Sequence, residues 1–266
     1  KAPFAAPFQP TSDDFLCCGE PARVPAMQFS APLVPARLVR RYKRFLADVI
    51  LPGGETVTVH CANPGAMLGL AVTGAEIWLS KSANPARKLA WSWELERVGD
   101  GLVGINTGHP NRLVEEAILA RRIPELAGYA ACRREVKYGR NSRIDLLLSG
   151  PGRPDCYVEV KNVHLKRDTA LPGLAEFPDS VTARGTKHLG ELAEMVAAGH
   201  RAVMLYLVQR TDCAACSIAA DLDPRYAAAL TDALQRGVET LSYCCKIDLD
   251  GIVLDRRLQF HAAVAL

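Results

Sequence analysis

The sequence predicts two domains of different class, a small all-β barrel followed by a mixed α/β domain, so that the whole is an α+β / α/β chain. Three observations predict this. The 266 residues suit two units at about 100–200 residues each. Short strand-like runs broken by Gly, Pro and Asp turns fill residues 27 to about 108. From residue 109 onward, helical spacing and strand spacing alternate instead.

In the first half, Arg44 to Leu51 and Glu55 to Cys61 flank Pro52-Gly53-Gly54, the pattern of a hairpin. Ala75 to Ser80 reads as a third strand. Leu89 to Val98 and Leu102 to Asn106 flank Gly99-Asp100-Gly101 as a second hairpin. About five strands in so short a stretch predict a small closed barrel; an OB-like barrel fits, and an SH3-like barrel would read much the same. Residues 1–26 read as a disordered or expression-derived extension, with Met27 as a plausible natural start. The barrel is placed at 27–108 and the second domain at 109–266.

In the second half, Asn111 to Arg122 carries apolar residues at helical spacing, and Pro124 ends it. Ala131 to Tyr138, Arg143 to Ser149 and Cys156 to Val163 read as strands. A polar, proline-bearing loop covers 166–181. A helix over Thr182 to Ala198 stops at Gly199, and Arg201 to Val208 is an apolar strand. Asp223 to Arg236 is a helix with Asp223 as N-cap and Pro224 in its first turn. Val238 to Ile247 and Ile252 to Leu258 complete the sheet.

Composition narrows function modestly. Hydrophobic residues make up 49% and charged residues 23%, an ordinary globular balance. No run of about 18 apolar residues exists, so no membrane span is predicted. The nine cysteines, with no signal-peptide pattern, suit a reduced, cytoplasmic protein. Cys213 and Cys216 form a CxxC, but the adjacent Cys244 and Cys245 make a poor second ligand pair for zinc. A net charge of +3 does not by itself imply nucleic acid. Its distribution is more telling. Arg37, Arg40, Arg41, Lys43 and Arg44 fall within eight positions, with no acid until Asp48. Such a stripe is either a phosphate-binding surface or a charge-protected edge strand.

The chemistry is carried by Arg143-Ile144-Asp145-Leu146-Leu147-Leu148 and Tyr157-Val158-Glu159-Val160-Lys161-Asn162. In a strand, alternate residues share a face, so Glu159 and Lys161 lie together while Val158 and Val160 point into a core. Ile144 and Leu146 should face away from Asp145. A hairpin over 149–155 would bring Asp145 near Glu159. Charges inside apolar strands are costly unless paired or bound to a metal. Two carboxylates beside an ammonium suit Mg²⁺ or Mn²⁺, which keep water ligands and can activate one of them. Asp145 and Glu159 are thus candidate metal ligands, with Lys161 as third catalytic group. A structural ion pair would carry the same residues.

This arrangement resembles the PD-(D/E)XK, restriction-endonuclease-like nucleases, whose core order αβββαβ matches the order read above. More closely, the chain from Met27 onward resembles the sugar fermentation stimulation protein A (SfsA) family. The matching segments are LVRRYKRFLADV (38–49), HCANPGAM (60–67), INTGHPN (105–111), REVKYGRNSRIDLLL (134–148), YVEVKNV (157–163) and FPDSVTARGTKHLGEL (177–192). The resemblance implies an N-terminal OB-fold, a nuclease-like second domain, DNA binding without strong sequence specificity, and a regulatory role in sugar (maltose) metabolism. It leaves open a metal-dependent DNA nuclease and a non-catalytic DNA-binding regulator; a third class, an RNA-processing or purely protein-interaction module, has only the barrel fold to argue for it.

By analogy with the superfamily, Glu115 or Glu116 would bring a further acid from the first helix, although either could be a solvated helix charge. Lys187 and His188 would reach the site or its DNA from the later helix. Thr186 stands where the family is expected to have Gln. Glu135 could add an outer contact, and Asp179 could approach the metal from its turn. Asn63-Pro64-Gly65 reads as a turn, and His60 could face DNA. Trp78, Trp91 and Trp93 could stack bases, with at least one expected in the core.

Overall fold

The computed structural model describes residues 27–139, 141–168 and 171–262. The expectation for residues 1–26 lies outside them. The chain runs β1 (Met27–Gln28), β2 (Val34–Tyr42), β3 (Leu46–Ile50), β4 (Thr56–His60), β5 (Glu76–Lys81), β6 (Trp91–Val98) and β7 (Gly101–Gly104). Then come α1 (Pro110–Leu119), β8 (Ala131–Tyr138), β9 (Ser142–Ser149), β10 (Cys156–Val163), β11 (Leu165–Lys166) and β12 (Leu174–Phe177). The remainder is α2 (Ala183–Ala197), β13 (Arg201–Val208), β14 (Ala215–Ile218), α3 (Pro224–Gln235), β15 (Glu239–Ile247), β16 (Gly251–Arg257) and β17 (Gln259–His261).

The first domain is the expected OB barrel, followed by the expected α/β domain. Strands β4-β3-β2-β5-β6 form an ordered sheet, and a parallel bridge between His60 and Ser92 joins β4 to β6 and closes it. β7 extends the sheet outward from β6. Both predicted hairpins form: Ile50 pairs with Thr56 across Pro52-Gly53-Gly54, and Val98 with Gly101 across Gly99-Asp100. One strand was not anticipated. The arginine stripe lies largely in β2, between β3 and β5, not on a sheet edge. Ala36 and Leu38 point inward from β2 while Arg37 and Arg40 point out, so the strand has ordinary alternation hidden under its charge. The barrel core collects Val49, Val59, Ile77, Leu79 and a fully buried Trp93. Trp78 instead joins the core of the second domain, and Trp91 sits half-buried under Lys81.

The second domain is a seven-stranded mixed sheet, β1-β16-β15-β13-β10-β9-β8. α1 packs on one face with Leu113, Val114, Ala117 and Ile118, while α2 and α3 pack on the other through Leu189, Leu192, Tyr226 and Leu230. Asp223 caps α3 by accepting from Tyr226 N at 3.0 Å, as its sequence predicts. Two boundaries differ from expectation. Met27 and Gln28 do not belong to the barrel; they pair with Ile252 and Gly251 at the far edge of this sheet. The region read as a loop at 166–181 contains β12, which joins β11, β14 and β17 in a small second sheet. Cys213 and Cys216 are buried in the α2-side core.

The domains share a continuous seam. Gly104 N donates to the Gln209 carbonyl at 2.9 Å, Thr211 N donates to the Leu102 carbonyl, and Val103 bridges Arg210. Asn63, anchored by its Nδ2 on the Ile105 carbonyl, contacts His164 Nδ1 at 3.1 Å across the seam.

Candidate active site

The site forms where two strands of a hairpin part. β9 and β10 pair at Leu148/Cys156, Leu147/Tyr157 and Leu146/Val158, and there the ladder ends. The next facing residues are Asp145 and Glu159. With β9 no longer paired on that side, Val160 N donates to Asp145 Oδ2 at 2.8 Å, so the side chain replaces the missing ladder bond. Asn111, in the first turn of α1, donates to the other oxygen at 2.8 Å.

Glu159 is almost fully buried (side chain 3% exposed). Its Oε1 accepts from Lys161 Nζ at 2.7 Å and from His188 Nδ1 on α2. Arg184 Nε donates to His188 Nε2 at 3.3 Å, so the ring's partners place its proton on Nδ1. Glu159 Oε2 is buried with no hydrogen-bond partner. Burial alone would raise the Glu159 carboxyl, but the His188 hydrogen bond and the Lys161 ammonium outweigh it and hold it below its usual value. Asp145 goes the other way. Burial first, and the charge of Glu159 second, push it up to about 6. One carboxylate is thus ionised, and the other is poised to exchange a proton near neutrality.

The pleat is irregular at this point. Val136 pairs with Ile144 and Arg134 with Leu146, but Glu135 and Asp145 are not paired, and Glu135 has a left-handed φ of 53°. Ile144 therefore packs on the α2 face, whereas Leu146 packs on the α1 face. The expectation that both face away from Asp145 together is corrected: the chain turns over between them at the unpaired Glu135 and Asp145, while the register is the same on either side. Val158 and Val160 do enter the α1-side core as expected.

The other predicted residues divide. Lys187 reaches the hairpin tip, donating to Ser142 Oγ at 3.1 Å. His188 is not on a DNA-facing surface: its side chain is 4% exposed and spent on Glu159. Glu116 pairs with Arg112 at 2.7 Å along α1, and Glu115 lies 3.6 Å from Arg134, so both are ion-paired helix charges. Glu135 is exposed, and its backbone carbonyl, not its carboxylate, is used, accepting from Arg143. Asp179 accepts from Met67 N at 2.8 Å and serves the domain seam, not the carboxylate pair. Asn63 Oδ1 accepts from Gly65 N at 2.9 Å, the expected turn. His60 stacks beside Phe45 and meets Arg87.

The chain matches two family models in succession. Residues 39–105 match the SfsA N-terminal OB domain, and residues 108–251 match the sugar fermentation stimulation protein RE domain. The chain belongs to the SfsA family. A sugar fermentation stimulation protein homolog of Rhodospirillum centenum is 62% identical over 236 residues, covering 89% of this chain and all of that protein. One of Paramagnetospirillum magneticum is 60% identical over 228 residues, covering 86% and 95%. A solved structure described as Pyrococcus furiosus SfsA in complex with Ca²⁺ superposes with a TM-score of 0.78 at 24% identity, covering 89% of this chain and 99% of that one.

Within this SfsA chain, sequence reasoning overlooked Asn111, His188 as a partner of Glu159, and two further buried groups. The Tyr138 hydroxyl and both Glu191 carboxylate oxygens are buried without a hydrogen bond. Burial, then the charges of Glu159, Glu191 and Asp145, push the Tyr138 hydroxyl far up. No spacing rule links residues so far apart in sequence. A buried charge on a helix facing a strand carboxylate was the only signal available.

Proposed function

We propose that this SfsA protein is a divalent-metal-dependent phosphodiesterase acting on DNA, with the PD-(D/E)XK arrangement of Asp145, Glu159 and Lys161. The observation that carries this reading is the Glu159 carboxylate: buried, held ionised, and with Oε2 free of any hydrogen-bond partner beside a second, half-buried carboxylate. A buried anion with an unused oxygen is costly unless a cation shares it.

The donor set fits Mg²⁺ or Mn²⁺, hard cations satisfied by one or two carboxylates plus water and substrate oxygens. Asp145 and Glu159 Oε2 would hold the ion. When bound, it supplies a Lewis acid that lowers the pKa of a water ligand. The P. furiosus relative, solved with Ca²⁺, supports a hard-cation site in this fold. The chain's own groups do the rest. Lys161 Nζ, held at 2.7 Å from Glu159, can turn toward a phosphoryl oxygen and balance charge that develops there. His188 keeps Glu159 oriented and anionic. Hydrolysis adds hydroxide to phosphorus and a proton to the departing sugar oxygen.

The test is cleavage of plasmid and single-stranded DNA with Mg²⁺ or Mn²⁺ by the purified protein and by Asp145→Ala. Loss of cleavage in the variant is expected; equal cleavage by both would end the catalytic reading. A second reading, DNA binding without cleavage in a regulator of sugar metabolism, has one observation in its favour: Glu159 Oε1 is already bonded by both Lys161 and His188, as in a structural ion pair. Metal-independent binding with no turnover by either protein would select it.

A further inference from the structure

We propose that the β8–β9 hairpin is the arm that holds the DNA backbone beside Asp145, rather than the arginine stripe of the barrel. This rests on the DNA reading above.

Between Ala131 and Arg143 the sequence holds five basic residues and one acid. The left-handed backbone at Glu135 decides which of these cations lie near Asp145. Arg134 pairs with Leu146 on the α1 face, and beyond Glu135, where Val136, Tyr138 and Ile144 turn to the α2 side, Lys137 pairs with Arg143 on the α1 face. These three exposed cations therefore bracket Asp145, whose own side chain meets α1 at Asn111. Arg143 folds back so that NH1 reaches the Glu135 carbonyl, level with Asp145. Lys187 closes the hairpin tip from the other side through Ser142.

Two features point to a polyanion as partner. Lys137 and Arg143 are directly opposed cations, an arrangement that repels in a sheet unless an anion lies between them. Among the described residues Lys137 has no ion pair or hydrogen bond, Arg143 bonds only a neutral carbonyl, and the contact of Arg134 with Glu115 is a long 3.6 Å. The β2 stripe is more committed. Arg40 is neutralised by Asp48 at 2.8 Å and Arg41 is held by the Asn63, Gly65 and Arg44 carbonyls, while Arg37, like Arg143, bonds one neutral carbonyl, that of Gly74. Among the described residues, Lys43 and Arg44, at the β2–β3 turn, have no side-chain hydrogen bond or ion pair there.

The experiment is equilibrium binding of a short DNA duplex in chelator, across a salt series, for the full chain, for Lys137→Glu with Arg143→Glu, and for Lys43→Glu with Arg44→Glu. The milder Lys137→Gln with Arg143→Gln guards against misfolding. The hairpin pairs should weaken binding at least about tenfold and flatten the salt dependence by about 0.9 per lost phosphate contact. The barrel pair should change it little. Mn²⁺-dependent hydrolysis of bis(para-nitrophenyl) phosphate, too small to span the arm, should persist in every variant that retains the carboxylates. Unchanged affinity and slope in the hairpin variants, or loss confined to the barrel pair, would overturn the proposal. Lost duplex binding by the hairpin variants of a protein that never hydrolyses either substrate would keep the arm and remove only the catalytic reading.

Discussion

His188 on α2 donates to Glu159 on β10, and this buried bond is what fastens the helix to the parting strands of the hairpin. Replacing His188 with Ala leaves a buried carboxylate with one partner fewer. We expect a loss of roughly 2–4 kcal/mol in urea unfolding. Mn²⁺ affinity measured by calorimetry should fall about 10–100-fold, since a ligand's supporting hydrogen bond is removed. A variant as stable and as tightly metal-bound as the parent would contradict the role.

Asp145 sets a pH window. Its folded pKa, about 6, lies above the ordinary value of 3.8, so the folded state keeps a proton that the unfolded chain has released. Metal-free stability from this group is therefore full below pH 4 and is lost as pH rises through 6. Metal binding runs opposite, because the ligand must be ionised: Mn²⁺ affinity should fall up to about tenfold per pH unit below 6. Glu96, pushed up to about 7 by burial in the barrel, adds its own slope to stability, so affinity is the cleaner readout. In Asp145→Asn the affinity should be weak and lack this inflection.

Lys161 separates holding from turnover. Lys161→Met removes the ammonium while leaving both carboxylates, so Mn²⁺ should still bind. DNA cleavage should drop about 100–1,000-fold, the size typical of losing one charge-stabilising group. Cleavage at the parental rate would reassign Lys161 as a structural ion pair.

Gly251 permits the close pairing of β16 with β1. A methyl group there would stand 2.3 Å from the Met27 carbonyl oxygen, and backbone cannot yield cheaply. Gly251→Ala should detach β1, lowering stability by about 1–3 kcal/mol and exposing the segment around Gln28 to protease. Resistance equal to the parent would show that the strand shifts without letting go.

The parts of this molecule that were legible in the sequence are those governed by local spacing. Alternation placed Val158 and Val160 in the core, turn residues placed both barrel hairpins, and Asp223 with Pro224 marked the start of α3. The acidic pair was legible for the same reason: a short hairpin forces Asp145 and Glu159 toward each other. What escaped depended on distant chain or on backbone conformation. β2 was obscured because its outward arginines dominate its composition, although Leu38 is buried. The turnover at Glu135 uses a left-handed residue that is not glycine, which no pattern announces. The sequence places His188 at the site or its DNA, but helix periodicity cannot reveal that Glu159 is the strand residue opposite it.

The pairing of Met27 with Ile252 has a consequence for how the molecule is assembled. The barrel is in effect an insertion, carried between an edge strand and the rest of the sheet that strand completes. On the ribosome the barrel can close early, but β1 must wait for β16, nearly the last strand made. The final step of folding therefore joins the two extremities of the described chain around a finished barrel. A fragment beginning at residue 109 would lack this edge and leave β16 with a bare row of backbone donors and acceptors, open to another molecule's strand.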